Sequence, residues 1–115
     1  MTYRAPVADM IATLKNAVGL EDAIAAGLYG DLTLDDVTAI LEEAGKFASD
    51  RIAPLNTVGD RHGTPFKDGV VTMPPGWKEV YTDWAAAGWN GLMADADFGG
   101  QGLPCVINSA CIEMW

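Results

Sequence analysis

The chain has 115 residues, half of them hydrophobic and a fifth charged, which suits one folded domain and excludes a disordered composition. Sixteen acidic residues against seven basic ones give a formal net charge of −9, which argues against nucleic acid or an anionic membrane surface as the partner. No apolar run approaches the roughly 18 residues that span a bilayer, and the N-terminus lacks the apolar core of a secretory signal, so we predict a cytoplasmic protein without a membrane span.

Two short helices are predicted at the start of the chain. The first begins at Pro6, which suits the first helical turn, and it is expected to stop near Gly19. Its apolar stripe at helical spacing consists of Val7, Met10, Ile11 and Leu14. The second helix is expected over residues 21–28.

The longest helix is predicted to begin after Thr33. Thr33 is a good N-cap, and Asp36 three residues later forms an acidic variant of the capping box. The apolar residues that follow at helical spacing are Val37, Ile40, Leu41, Ala44, Phe47, Ala48 and Ile52. Pro54 is expected either to end this helix or to kink it at about Ala53.

The next segment, residues 56–72, is rich in glycine, asparagine and aspartate and is predicted to be a long loop, with at most a very short extended piece at residues 70–72. Another helix is predicted to begin at Pro74 and Pro75 and to end at Gly88. Its apolar face consists of Trp77, Val80, Tyr81 and Trp84, which we expect to pack in the core or in an interface.

A glycine-rich stretch at residues 90–104 leads into a last helix, predicted over residues 105–115 after Pro104. The predicted fold is therefore all-α, with about five helices in an irregular bundle and a long loop at residues 56–72. We expect a single domain over residues 1–115.

Three pairs of carboxylates are candidates for acid–base catalysis, which needs a cleft that separates the two pKa values. They are Asp35 with Asp36, Glu42 with Glu43, and Asp95 with Asp97. A helix first turn, a polar helix face and a turn are the ordinary settings of such pairs, so structural roles are favoured. His62, the only histidine, is interpreted as a solvated loop residue rather than a base or ligand.

The glycine run at residues 99–102 invites comparison with a phosphate-binding loop. No strand precedes it and no Lys-Ser/Thr follows it, so we interpret it as a tight loop with positive φ angles and close backbone contacts. Cys105 and Cys111 fit neither a CxxC motif nor a zinc framework, and we expect both to be apolar fillers in a reducing compartment. No catalytic, cofactor-binding or metal-ligating residue is assigned.

Several motifs, taken in order, resemble the acyl-CoA dehydrogenase family. Residues 94–104 (ADADFGGQGLP) resemble its loop of the form Pro-Glu-x-Tyr/Phe-Gly-Gly-x-Gly, and residues 87–92 (AGWNGL) resemble the end of the helix before that loop. Similarity to the larger members of the 3-methylmercaptopropionyl-CoA dehydrogenase type lies in residues 3–6 (YRAP) with Asp9 and Met10, and in residues 52–56 (IAPLN) with Gly59 and Asp60. The resemblance covers nearly the whole chain.

This resemblance implies the N-terminal helical domain of an enzyme that also has a β middle domain and a C-terminal helical bundle. The implied reaction is the α,β-dehydrogenation of an acyl-CoA thioester with FAD, and the catalytic glutamate and most flavin contacts belong to the later parts. The implied partners are those remaining domains and, in the full-length form, the acyl-CoA substrate. The chain alone is expected to be inactive and to bind no cofactor. The alternative is a stand-alone acidic helical interaction module without catalysis.

Self-association of the isolated chain, as a dimer, is a further expectation. A face that the other domains would cover is left as an exposed apolar patch, and such patches tend to find a partner. We expect this face to comprise the tryptophan-bearing helix, the loop around Phe98 and the final apolar stripe at residues 106–114.

Overall fold

The longest element of the fold is a helix that begins at Leu34, passes through a π-helical turn, Ala48–Ile52, and ends at His62 without a break. The computed structural model describes residues 2–115. Its α-helices are α1 (Val7–Asn16), α2 (Leu20–Ala25), α3 (Leu34–Phe47), α4 (Ala53–His62), α5 (Trp77–Ala86) and α6 (Cys105–Met114). The long helix counts once, so the described residues contain five α-helical rods, and the predicted all-α fold is confirmed.

The hydrophobic core lies where α1 and α6 pack against α3, with α2 packed against α1. Its most deeply buried side chains are Leu20, Val37, Leu41, Leu92, Ile107 and Cys111. Gly45 allows the close approach of the N-terminal segment, because a Cβ built there would lie 2.8 Å from Val7 Cγ2 and 3.0 Å from Ala5 Cβ. The apolar stripe of α6 is buried against α3, so our expectation that this stripe belongs to an exposed face is wrong.

Pro54 distorts the long helix without ending it, which was the second of the two predicted outcomes. Proline lacks an N–H and its ring crowds the carbonyl of the preceding turn. The helix accommodates it by widening into the π turn, where the Ala53 N–H donates to the Ala48 carbonyl. The prediction of a loop from residue 56 is wrong for residues 56–62, because α4 continues to His62 and the non-helical segment begins at Gly63.

Two-residue strands β1 (Phe66–Lys67) and β2 (Val70–Val71) form an antiparallel hairpin within that segment, with Phe66 opposite Val71. The hairpin turn is Asp68-Gly69, both with positive φ, as an Asp-Gly hairpin turn requires. Helix α5 then begins at Trp77 rather than at Pro74, because Gly76 adopts a left-handed conformation with φ of 84°. Within residues 2–115, no helix combines the length and the apolarity needed to cross a membrane.

The predicted capping box at the start of α3 is confirmed. Thr33 Oγ1 accepts from the Asp36 backbone N–H at 3.1 Å, and Asp36 Oδ2 accepts from the Thr33 backbone N–H at 2.9 Å. The hydrogen bonds from the Thr33 hydroxyl and then from its backbone N–H lower the pKa of the Asp36 carboxyl. Asp36 therefore serves the helix terminus as a charged cap.

We expect replacement of Asp36 to remove one pH-dependent contribution to the stability of α3. A carboxyl whose pKa is lowered on folding contributes stability that is complete above its unfolded pKa, about 4, and that is lost as the pH falls through the folded value. Asp36→Asn should therefore flatten the fall in thermal midpoint below about pH 4, as measured by circular dichroism. Glu43→Gln, on the same helix but outside the capping box, is the control, and equal acid sensitivity of wild type and Asp36→Asn would contradict the expectation.

Candidate binding groove

An apolar groove of about 850 Å³ lies between the long helix and α5, and the end of α6 closes one side of it. This volume is within the range of small-molecule sites. The large side chains that form it are chiefly Ile52, Leu55, Trp77, Tyr81, Trp84 and Trp115. No charged side chain of the described residues lines it, so the groove favours an apolar occupant.

The π turn places the long helix along one wall of this groove. Ala48, Ile52 and Pro54 all line it. Pi turns inside helices occur often at functional sites, because the extra residue widens the helix and redirects the neighbouring side chains. The groove was not predicted from the sequence. The available signal was Pro54 inside an apolar helical pattern, which indicates a local distortion of the helix.

Two glycines allow α4 and α5 to approach closely at the outer end of the groove. The Trp77 ring covers Gly59, where an added Cβ would lie 2.7 Å from Trp77 Cζ2. An added Cβ at Gly76 would lie 3.0 Å from Leu55 Cδ2. This packing explains why a glycine that costs an isolated helix roughly 1 kcal/mol is compatible with α4.

An ion pair joins the long helix to α5 at the groove rim, and an aromatic contact within the long helix accompanies it. Arg51 pairs with Asp83, and the Arg51 guanidinium also lies 5.9 Å from the centre of the Phe47 ring. Both charged side chains are about half exposed, so the pair is worth at most about 1 kcal/mol. The pair therefore links α5 to the long helix but adds little to the stability of the chain.

Aromatic rings close the inner end of the groove. Trp115 makes edge contacts with Trp84 at 5.5 Å and with Trp89 at 5.2 Å between ring centres, and its Nε1 donates to the Ala44 carbonyl at 3.2 Å. Trp84 also lies beside Tyr81. The packing predicted for the apolar face of α5 is therefore seen at Trp84, whereas Trp77 and Tyr81 on the same face remain exposed.

The glycine-rich loop connects the end of α5 to the start of α6 and is tightly packed. Gly99 and Gly102 have φ of 81° and 62°, and Gly100 lies against the backbone of Ala94, as predicted for a tight loop. The Gln101 side chain donates from Nε2 to the Gly88 carbonyl at 3.0 Å. Phe98 lies at the tip of this loop and is almost fully exposed, as expected.

None of the candidate acids lies in the groove. Asp35 and Asp36 occupy the first turn of α3, and Glu42 and Glu43 lie on its exposed face. Asp95 Oδ1 accepts from the Asp97 backbone N–H at 2.8 Å, which makes Asp95 the turn former that the sequence predicts. Among residues 2–115, no three His, Cys, Asp or Glu side chains are grouped as a metal site would require.

His62 is exposed, but it ends α4 rather than lying in a loop, which corrects the prediction. Its Nδ1 lies 3.0 Å from the Val58 carbonyl one turn earlier, so the imidazole closes the last helical turn. The long helix continues past Pro54, and this is why the residue is helical.

The two cysteines are free thiols with different environments. Cys111 is buried in the core, and burial raises its pKa to about 11, so it stays protonated as the predicted apolar filler. Cys105 is exposed at the start of α6, with its Sγ 3.9 Å from Ser109 Oγ. The apolar-filler prediction is wrong for Cys105, because it lies on the solvent side of a helix whose opposite face is buried.

Two curated proteins resemble this chain along most of its length. The 3-methylmercaptopropionyl-CoA dehydrogenase of Ruegeria pomeroyi (strain ATCC 700808 / DSM 15171 / DSS-3) is 39% identical over 114 residues, which are 99% of this chain and 19% of that protein. The broad-specificity linear acyl-CoA dehydrogenase FadE5 of Mycobacterium tuberculosis (strain ATCC 25618 / H37Rv) is 28% identical over 104 residues, which are 89% of this chain and 17% of that protein.

No family model matches the chain. The chain spans about a fifth of the length of the curated relatives it matches. The predicted resemblance is nevertheless confirmed, because the curated homologues of this chain are acyl-CoA dehydrogenases.

Proposed function

We propose that residues 1–115 are the N-terminal helical domain of a FAD-dependent acyl-CoA dehydrogenase that catalyses α,β-dehydrogenation of an acyl-CoA thioester. The observation that supports this proposal is a similarity that extends over nearly the whole chain but over only about a fifth of each relative. The catalytic base and the flavin contacts would then belong to the remaining four fifths, and the isolated chain would be inactive.

In the parent enzyme, the chain would help to wall the acyl site. The groove supports this role, because its aromatic and aliphatic lining without charged side chains suits an aliphatic chain. The bound flavin would supply the hydride acceptor, and the partners would be the remaining domains and the acyl-CoA. A cytoplasmic location is part of the proposal, and two free thiols are compatible with a reducing compartment.

The native gene provides the test of this proposal. We expect its reading frame to continue beyond codon 115 and its purified product to be yellow and to oxidise an acyl-CoA with an artificial electron acceptor. A frame that stops after codon 115 would overturn the proposal and favour the stand-alone acidic interaction module.

The 115-residue chain by itself is expected not to bind flavin. In a titration of FAD monitored by flavin fluorescence, we expect no saturable change at concentrations up to about 100 µM, a limit that corresponds to roughly 5.5 kcal/mol of binding free energy. The full-length product serves as the positive control. Stoichiometric flavin in the purified 115-residue chain would contradict this expectation.

A further inference from the structure

Residues 64–87, here called the lid segment, contain the β-hairpin and α5, and α5 forms one wall of the groove. Within this range Pro74 alone is buried, and β1, β2 and α5 contain no buried residue. The core helix α3, by contrast, has four buried residues and contacts both α1 and α6. Because burial of apolar surface is the main source of stability, much less holds the lid segment in place than holds α3.

The hydrogen bonds of the lid segment close within it. Its backbone hydrogen bonds run between its own residues or to the adjoining Gly88, as when the Thr72 N–H donates to the Pro65 carbonyl at 3.0 Å. Among residues 2–115, the Arg51–Asp83 pair is the one hydrogen bond that joins the segment to the helices around it. Since backbone groups must stay paired, a segment that pairs its own can leave the core without orphaning them.

A glycine with positive φ lies at each end of the lid segment. Gly63, directly after α4, has φ of 61° and ψ of −167°, and Gly88, just after α5, has φ of 82°. Glycine changes between such conformations without the steric cost that a Cβ imposes. A Cβ built at Gly63 would meet nothing within 4 Å, so the chain has room to turn there. The two glycines can therefore act as hinges on either side of the segment.

The contacts that hold α5 against the rest of the chain are partly exposed. Trp84 meets Trp115 edge to face, with 5.5 Å between ring centres, and neither ring is fully buried. Trp77 lies over Gly59 but is itself exposed. The ion pair at the groove rim is about half exposed, so solvent screens it. These contacts fix the position of α5 without enclosing it.

We propose that the lid segment opens as a unit about Gly63 and Gly88 while the core around α3 stays folded. Opening separates α5 from the long helix and gives an apolar occupant access to the groove. A helix of ten residues is marginal by itself in water, so α5 loses its hydrogen bonds whenever it leaves the groove. Exchange of its amide protons therefore reports the opening. This inference concerns the 115-residue chain itself and does not rest on the proposed function.

Native-state hydrogen exchange of the 115-residue chain, followed by NMR, tests the proposal. We expect the hydrogen-bonded amide protons of α5 to share one protection factor, at least about 100-fold below the values in α3. Equal protection in α5 and α3 would overturn the proposal, since α5 would then open only when the whole chain unfolds. Protection that declines progressively toward the ends of α5 would also overturn it, because that pattern indicates fraying rather than the opening of a unit.

A core variant and a lid variant separate the two kinds of opening. Val37 is fully buried in α3, so Val37→Ala should lower protection in α3 at least about tenfold and leave α5 within about twofold of wild type. Trp84→Phe weakens the contact with Trp115 and should lower protection in α5 at least about threefold, whereas Tyr81→Phe, the control on the same helix, should not. Equal losses in α3 and α5 after Val37→Ala, or equal protection of α5 in the two α5 variants, would overturn the proposal.

Discussion

Replacement of Gly100 by alanine is expected to destabilise the chain by about 2–4 kcal/mol. An added Cβ would lie 1.9 Å from the carbonyl oxygen of Ala94 and 2.2 Å from its carbonyl carbon. These are backbone atoms, so rotation of a side chain cannot relieve the overlap. The loop must open instead, and the expected cost is that of its hydrogen bonds.

The hydrogen bonds at risk hold the two sides of the glycine-rich loop together. The N–H of Gln101 donates to the Gly91 carbonyl at 2.9 Å, and the N–H of Leu103 donates to the Leu92 carbonyl at 2.8 Å. Leu92 is almost completely buried, so opening the loop also withdraws a core side chain. Each lost hydrogen bond costs about 1 kcal/mol, to which the exposed apolar surface of Leu92 adds.

Two neighbouring glycines provide controls for this prediction in urea unfolding. An added Cβ at Gly91 would lie 3.5 Å from Gly100 Cα, an ordinary contact, so Gly91→Ala should stay within about 1 kcal/mol of wild type. An added Cβ at Gly99 meets nothing within 4 Å, but its φ is 81°, so Gly99→Ala should cost about 1–2 kcal/mol of backbone strain. If Gly100→Ala lowered the free energy of unfolding no more than Gly99→Ala does, steric overlap with Ala94 would not be the cause of the loss.

The glycine loop and the capping box could be predicted from sequence because their signals are local. Thr33 and Asp36 are three residues apart, and the loop glycines meet backbone within ten residues of themselves. The path of the chain through Pro54 could not be predicted in the same way. Whether a proline ends or distorts a helix depends on what the next turns contact, and here Gly59 packs under Trp77, eighteen residues away.

The groove could not be predicted from the sequence for a related reason. Helical periodicity identified the apolar face of α5 correctly, but periodicity does not show what covers that face. In the structure, Trp84 turns toward the aromatic cluster, whereas Tyr81 and Trp77 border the groove and remain exposed. Conversely, the α6 stripe expected on an exposed surface is buried, because Ile107 and Cys111 fill the core against α3.

Removal of the Trp115 ring is expected to produce the second large loss of stability, about 3 kcal/mol. The ring contacts Trp84 on α5 and Trp89 beside the glycine-rich loop, and its Nε1 bonds to the Ala44 carbonyl on α3. Trp115→Ala removes all three links at once. It should also abolish the near-ultraviolet circular dichroism bands that arise from edge-packed tryptophans.

Trp115→Phe separates ring packing from the hydrogen bond. It keeps an aromatic ring between Trp84 and Trp89 but loses the donor to Ala44, so it should cost about 1 kcal/mol, well below the alanine variant. Tyr81→Ala is the surface control, because Tyr81 is exposed and contacts this cluster only through Trp84, and it should change the free energy of unfolding by no more than about 0.5 kcal/mol. A Trp115→Ala chain with the urea midpoint of wild type would contradict this prediction. It would show that the Arg51–Asp83 pair and the packing of α4 hold α5 in place, and that the aromatic cluster contributes little to stability.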